Sequence, residues 1–215
     1  VTVTHLAGHL IRPRAGAGVI EWATATASPA AGGEPGSRAV VRSTDHGVLI
    51  AVVDGLGRRR DAAVAAARAA TILEAFADAP VRLLLRRCHE ELRSTHGAAM
   101  TITRLDARAS TTDWLGVGNV RAVVAHRNPG SCVRTHIGPC GGVVGYRLPP
   151  LRPQRVVLGP SDAMVLATDH IAPGFDEHVD WEKDPQPLAD EIISTCGNEL
   201  GDPLVLVIRY LGIPA

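Results

Sequence analysis

Aromatic residues make up only 3% of this 215-residue chain, which leaves few rings on which nucleobases could stack. No sign of charge predominates either. The 22 Lys and Arg residues are matched by 22 Asp and Glu, so the basic field expected of a nucleic-acid or anionic-membrane binder is missing. The four cysteines, Cys88, Cys132, Cys140 and Cys196, form no CxxC pair. Such sparse cysteines predict free thiols in a reducing compartment, which points to the cytoplasm. No apolar run approaches the roughly 20 residues of a membrane span, and the first residues lack the basic-then-apolar pattern of a signal peptide. A soluble, unprocessed protein without a membrane or nucleic-acid partner is expected. Among the nine histidines there is no metal-spaced HExxH pair, and "GVGNV" lacks the GxGxxG spacing and following helix of a nucleotide loop, so it reads as a strand-end turn. No fixed-period repeat or long linker divides the chain, and residues 1–215 are expected to form one domain. What is present is a globular composition, 46% hydrophobic and rich in valine, alanine and leucine, with enough length to bury a substantial core.

The apolar pattern alternates between strand and helix signals. Residues 19–26, "VIEWATAT", are β-rich, and the Gly/Pro-crowded "SPAAGGEPGS" after them reads as a loop. Strands at 39–42 and 48–53 flank the turn "TDHG" as a hairpin that delivers Asp54 at its end. Residues 61–77 carry alanine and leucine without a breaker, with acidic Asp61 at the start, and predict a long helix. A second helix over residues 80–94 sets Val81, Leu84, Leu85, Cys88 and Leu92 at helical spacing. Short strands follow at 98–105, 113–117, 121–126, 131–137, 154–157 and 163–167. A third helix is expected over residues 187–197, and "PLVLVIRYL" reads as a final buried strand. This order predicts an α+β fold with antiparallel sheet covered by helices.

Three apolar strand ends carry an aspartate: Asp54 after "LIAVV", Asp169 after "MVLAT" and Asp202 before "PLVLVI". Carboxylates gathered at neighbouring strand ends repel one another unless cations neutralise them. Hard divalent ions such as Mg²⁺ and Mn²⁺ take such oxygen ligands, and a pair of them about 4 Å apart can activate water for attack on phosphorus. Each aspartate taken alone also suits an ordinary turn or cap. A glycine after Asp54 allows close approach of its own carbonyl to a metal. Arg58, Arg59 and Arg60 follow, a placement that the helix dipole does not favour. They read either as a solvated helix entry or, with Arg38, as bidentate partners for a phosphate group. His170, beside Asp169, is open to three readings: a loop histidine, a metal ligand or a general acid.

Four stretches, "LIAVVDGLG", "HGAAMTITRLD", "WLGVGNVRAVV" and "VVLGPSDAMVLATDHI", carry a resemblance that runs through most of the chain. In order and separation they resemble the metal-dependent serine/threonine phosphatases of the protein phosphatase 2C type, in the short bacterial branch of sporulation and stressosome regulators. The resemblance implies a four-layer α-β-β-α sandwich, two antiparallel sheets flanked by helices, with a binuclear Mn²⁺ or Mg²⁺ site at one edge. It implies hydrolysis of phosphoserine or phosphothreonine on a regulatory partner, such as an anti-sigma-factor antagonist or a stressosome component, by attack of metal-bound water. Carried over to this chain, Asp54 is the bridging and catalytic ligand, Gly55 offers its carbonyl, and Asp169 holds the second metal.

The chain also departs from that pattern. Arg38 stands where the family's first acidic ligand is expected, after "GEPGS". The terminal Asp-Asp or Asp-Asn pair is here Gly201-Asp202, so Asp202 is the remaining candidate for the last metal ligand. His170 replaces the glycine that follows the "TD" aspartate, and Arg58-Arg59 replace His-Gly after "DGLG". Arginine in place of a carboxylate both removes a ligand and adds repulsion to a dication. Arg38, Arg58 and His170 are therefore assigned to the substrate phosphate, and a catalytically weak or inactive, partner-binding pseudophosphatase is the alternative to an enzyme.

Overall fold

The computed structural model describes residues 2–11, 19–28, 34–128, 130–198 and 201–212. Its elements run β1 (Thr2–Ile11), β2 (Val19–Ser28), β3 (Ser37–Ser43), β4 (Gly47–Gly55), α1 (Arg59–Ala75), α2 (Val81–Leu92), β5 (Ala98–Asp106), β6 (Thr111–Val117), β7 (Arg121–Asn128), β8 (Ser131–Ile137), β9 (Gln154–Val157), β10 (Ala163–Ala167), α3 (Pro185–Cys196) and β11 (Leu204–Gly212). The strands make two antiparallel sheets, one ordered β1-β2-β11-β10-β7-β8 and the other β3-β4-β5-β6-β9. With α1 and α2 over one sheet and α3 over the other, the expected four-layer sandwich is the fold observed.

The apolar runs follow from burial on two sides. Along β4, Leu49, Ala51 and Val53 pack toward α1 and α2, while Val48, Ile50 and Val52 pack between the sheets. The two-residue period of a strand thus divides one continuous hydrophobic run between two cores. β11 does the same: Leu204, Leu206, Ile208 and Tyr210 enter the inter-sheet core, and Val205 and Val207 face the α3 side. In α1 the buried face is mostly alanine, Ala62, Ala63, Ala65, Ala66, Ala69 and Ala70. Such short side chains let this helix lie close on the sheet. Larger residues on α2, Leu84, Leu85 and Leu92, fill the same core.

The predicted hairpin between β3 and β4 is present, closed by a bond from the Thr44 N–H to the Gly47 carbonyl at 2.9 Å. β1 is an addition to the sequence reading, which begins its first strand at Val19. It pairs antiparallel with β2 and is irregular between Gly8 and Ile11. Glycine and two histidines interrupt its apolar pattern, so alternation alone gave no strand signal there. Part of the predicted "SPAAGGEPGS" loop lies outside the described residues. Among the described residues, no helix is long and apolar enough to cross a membrane.

Candidate metal centre

Asp54 ends β4 at the rim of the sandwich and is only 7% exposed. The alternation that sends Val48, Ile50 and Val52 between the sheets sends Asp54 the same way. Across the gap, β10 ends at Ala167 and the chain turns through Thr168, Asp169 and His170. That turn is pinned on several sides. The Thr168 N–H bonds to the Leu204 carbonyl at 3.1 Å, and Thr168 Oγ1 accepts from the Leu204 N–H at 3.0 Å. Arg121 Nη1 donates to the Ile171 carbonyl at 2.9 Å. The Asn198 N–H, just past the end of α3, donates to the His170 carbonyl at 2.8 Å.

These placements gather Asp54, Asp169 and His170, each offering a ligand atom within 4.8 Å of the others. One sheet supplies Asp54 and the other supplies the remaining two. Burial is the main force pushing the Asp54 carboxyl up, from 3.8 to about 6, and the charges of Asp169 and Asp202 raise it further. The Ser37 hydroxyl and His170 oppose that rise. A buried carboxylate repelled by two others has the electrostatics of a cation site. The oxygen-rich donor set fits a hard divalent ion.

The other predicted residues take different places. Asp202 lies outside the three-residue cluster: its Oδ2 accepts from the Gly36 N–H at 3.2 Å and its carbonyl from the Ser37 hydroxyl at 3.2 Å. Its charge nonetheless reaches Asp54. Arg38 points to Glu34, 3.2 Å away in an i,i+4 pair, and Arg58 is exposed at the N-cap of α1. Gly55 has a packing role of its own, because a Cβ there would come within 2.0 Å of the Ala62 carbonyl oxygen on α1.

Two residues absent from the predicted site belong beside it. Ser37, at the start of β3, donates its hydroxyl to Asp54 Oδ1 at 3.0 Å. Asn119, in the turn before β7, donates Nδ2–H to Asp169 Oδ2 at 2.5 Å. The Asn119 turn is held from β5 by Thr101, whose hydroxyl donates to the Val120 carbonyl at 2.8 Å. "GVGNV" was the available signal for Asn119. Ser37 sits in a stretch that reads only as the end of a loop.

A two-sheet sandwich with carboxylates at the rim between the sheets is the architecture of the protein phosphatase 2C type. The family model for Stage II sporulation protein E (SpoIIE) matches residues 44–208, and the chain belongs to that family. Phosphoserine phosphatase RsbX of Bacillus subtilis (strain 168) is 26% identical over 84 residues, 39% of this chain and 42% of the relative. The match thus spans less than half of that relative's length. Among solved structures, RsbX in complex with magnesium superposes with a TM-score of 0.79 at 16% identity, covering 95% of this chain and 100% of that one. A chain from a study of the bacterial stressosome as a modular system adapted to control secondary messenger signaling gives a TM-score of 0.78 at 23% identity, covering 88% and 99%. At these identities the structural likenesses establish the fold.

Proposed function

We propose that this chain is a metal-dependent protein phosphatase, one domain across residues 1–215, that hydrolyses phosphoserine or phosphothreonine on a regulatory partner protein. The observation that carries the reading is the meeting of Asp54 and Asp169 from opposite sheets, with Asp54 buried and repelled. Family membership and the phosphoserine phosphatase RsbX among the relatives support the same chemistry. The magnesium complex of RsbX and the stressosome-related chain support Mg²⁺ or Mn²⁺ as cofactor, and a stressosome component or anti-sigma-factor antagonist as partner.

Asp54 and Asp169 would hold the ion, with Gly55 offering its carbonyl. When bound, a divalent cation supplies Lewis-acid activation of water and neutralises charge on the phosphoryl group. The chain's own contribution is positional. Ser37 orients the Asp54 carboxylate and Asn119 orients that of Asp169, and such partners fix ligands before an ion arrives. Arg58, exposed at the N-cap of α1 shortly after Asp54, is offered to the substrate phosphate.

The test is hydrolysis of a phosphoserine peptide in Mn²⁺, with and without chelator. Turnover that needs metal and disappears in Asp54→Ala is expected; metal-independent turnover refutes the metal-dependent mechanism, and no turnover refutes the enzyme. The second reading, a partner-binding pseudophosphatase, is favoured by one observation: Arg38, at the position of an expected carboxylate, contributes no ligand and pairs with Glu34.

A further inference from the structure

Gly201 and His170 are locked together in space. A Cβ built on Gly201 would lie 1.9 Å from His170 Cδ2 and 2.1 Å from Nε2. No side chain of any kind fits at position 201 while the imidazole stays where it is. The two departures from the family pattern are thus neighbours in space: the imidazole at 170 occupies the volume that a side chain at 201 would need. The imidazole in that volume belongs to the cluster with Asp54 and Asp169. Its Nδ1 is buried and lies 3.1 Å from Asp169 Oδ1, without the alignment of a hydrogen bond and with no other hydrogen-bond partner. A buried ring nitrogen without a hydrogen bond, in ion-pair contact with one carboxylate and on a ring clustered with a second, has the placement of a metal ligand.

We propose that His170 is a metal ligand, taking over the coordination that position 201 no longer supplies, and that it makes the centre a mixed imidazole–carboxylate site rather than an all-oxygen one. This deepens the phosphatase reading and rests on it. The histidine also has a selective consequence. Imidazole is a poor donor for Mg²⁺ and a good one for first-row transition ions, with affinity rising from Mn²⁺ toward Zn²⁺. The site therefore discriminates against Mg²⁺ in favour of Mn²⁺, and binds Zn²⁺ more tightly still. The backbone of the 168–171 turn is already held by β11, Arg121 and the end of α3. His170 is thereby presented to the cluster from a fixed platform.

The experiment is pulsed electron paramagnetic resonance on the Mn²⁺-loaded protein, alongside calorimetric titration with Mn²⁺ and Mg²⁺. Modulation from a directly bound ¹⁴N nucleus is expected in the unmodified chain and absent in His170→Ala, whose Mn²⁺ affinity falls at least about tenfold. Gly201→Ala keeps the histidine but evicts it from its volume, and should lose the same ¹⁴N signal. His170→Gly combined with Gly201→Asp should bind Mn²⁺ without ¹⁴N modulation and recover Mg²⁺ binding. Mn²⁺ bound without a ¹⁴N signal overturns the histidine ligand and leaves the carboxylate site standing. Failure of the unmodified chain to bind Mn²⁺ overturns both.

Discussion

At the scale of single residues, Asp54 carries the largest tension between folding and function. Its carboxyl is raised from 3.8 to about 6 chiefly by burial, so the metal-free fold binds a proton there more tightly than the unfolded chain does. The sign follows from linkage: the metal-free protein loses stability as pH climbs from about 4 to about 6, and the whole cost persists above that window. Its size is roughly 3 kcal/mol. Asp54→Asn removes the charge while keeping the shape. In chelator, this variant should unfold at higher urea than the parent at pH 7.5 and show a flatter pH profile between 4 and 6, yet gain nothing from added Mn²⁺. An unchanged midpoint and profile would mean that Asp54 is not held charged against its surroundings.

At the scale of elements, the join between β4 and α1 is closely packed beside the site. Gly55→Ala sets a methyl against the Ala62 carbonyl, and no side-chain rotation relieves a contact between two backbones. We expect a loss of at least about 1–3 kcal/mol, read as a lower urea midpoint, with metal affinity falling as Asp54 shifts. A stability equal to that of the parent would show that α1 can move away freely. The same elements show why much of the fold could be read from the chain. Residues 47–55 are an unbroken apolar run ending in Asp-Gly, and the run reflects cover on both faces of one strand. The alanines of α1 and the leucines of α2 likewise follow helical spacing because each buries one face. β1 gave no comparable signal. Ser37 was illegible as a site residue, and Asn119 was marked only by "GVGNV", for another reason: their roles depend on strand register and turn placement, which bring Ser37 opposite Asp54 and Asn119 beside Asp169. Gly201 looked like a lost ligand in sequence and is, in space, the condition for His170 to stand where it does.

At the scale of the whole molecule, the cluster draws on both sheets, so an ion bound there ties the two halves of the sandwich together. Anything that binds the folded state alone stabilises it by mass action, about 2.7 kcal/mol at a hundredfold excess over Kd. For a chain of this size that raises Tm by about 5–10 °C. Differential scanning calorimetry with and without Mn²⁺ should show that rise, and chelator should reverse it. A Tm indifferent to Mn²⁺ would show that the ion does not bind the folded state in preference to the unfolded one.

Ser37 adds a finer link between the same two halves. Its hydroxyl faces two acceptors, Asp54 Oδ1 in its own sheet at 3.0 Å and the Asp202 carbonyl at the entrance to β11 at 3.2 Å. A hydroxyl has one proton to give. Of the two, a charged Asp54 carboxylate is the stronger acceptor. Ser37 is thus a hydroxyl bridge between the sheets, touching the metal centre on one side and the approach to the last strand on the other.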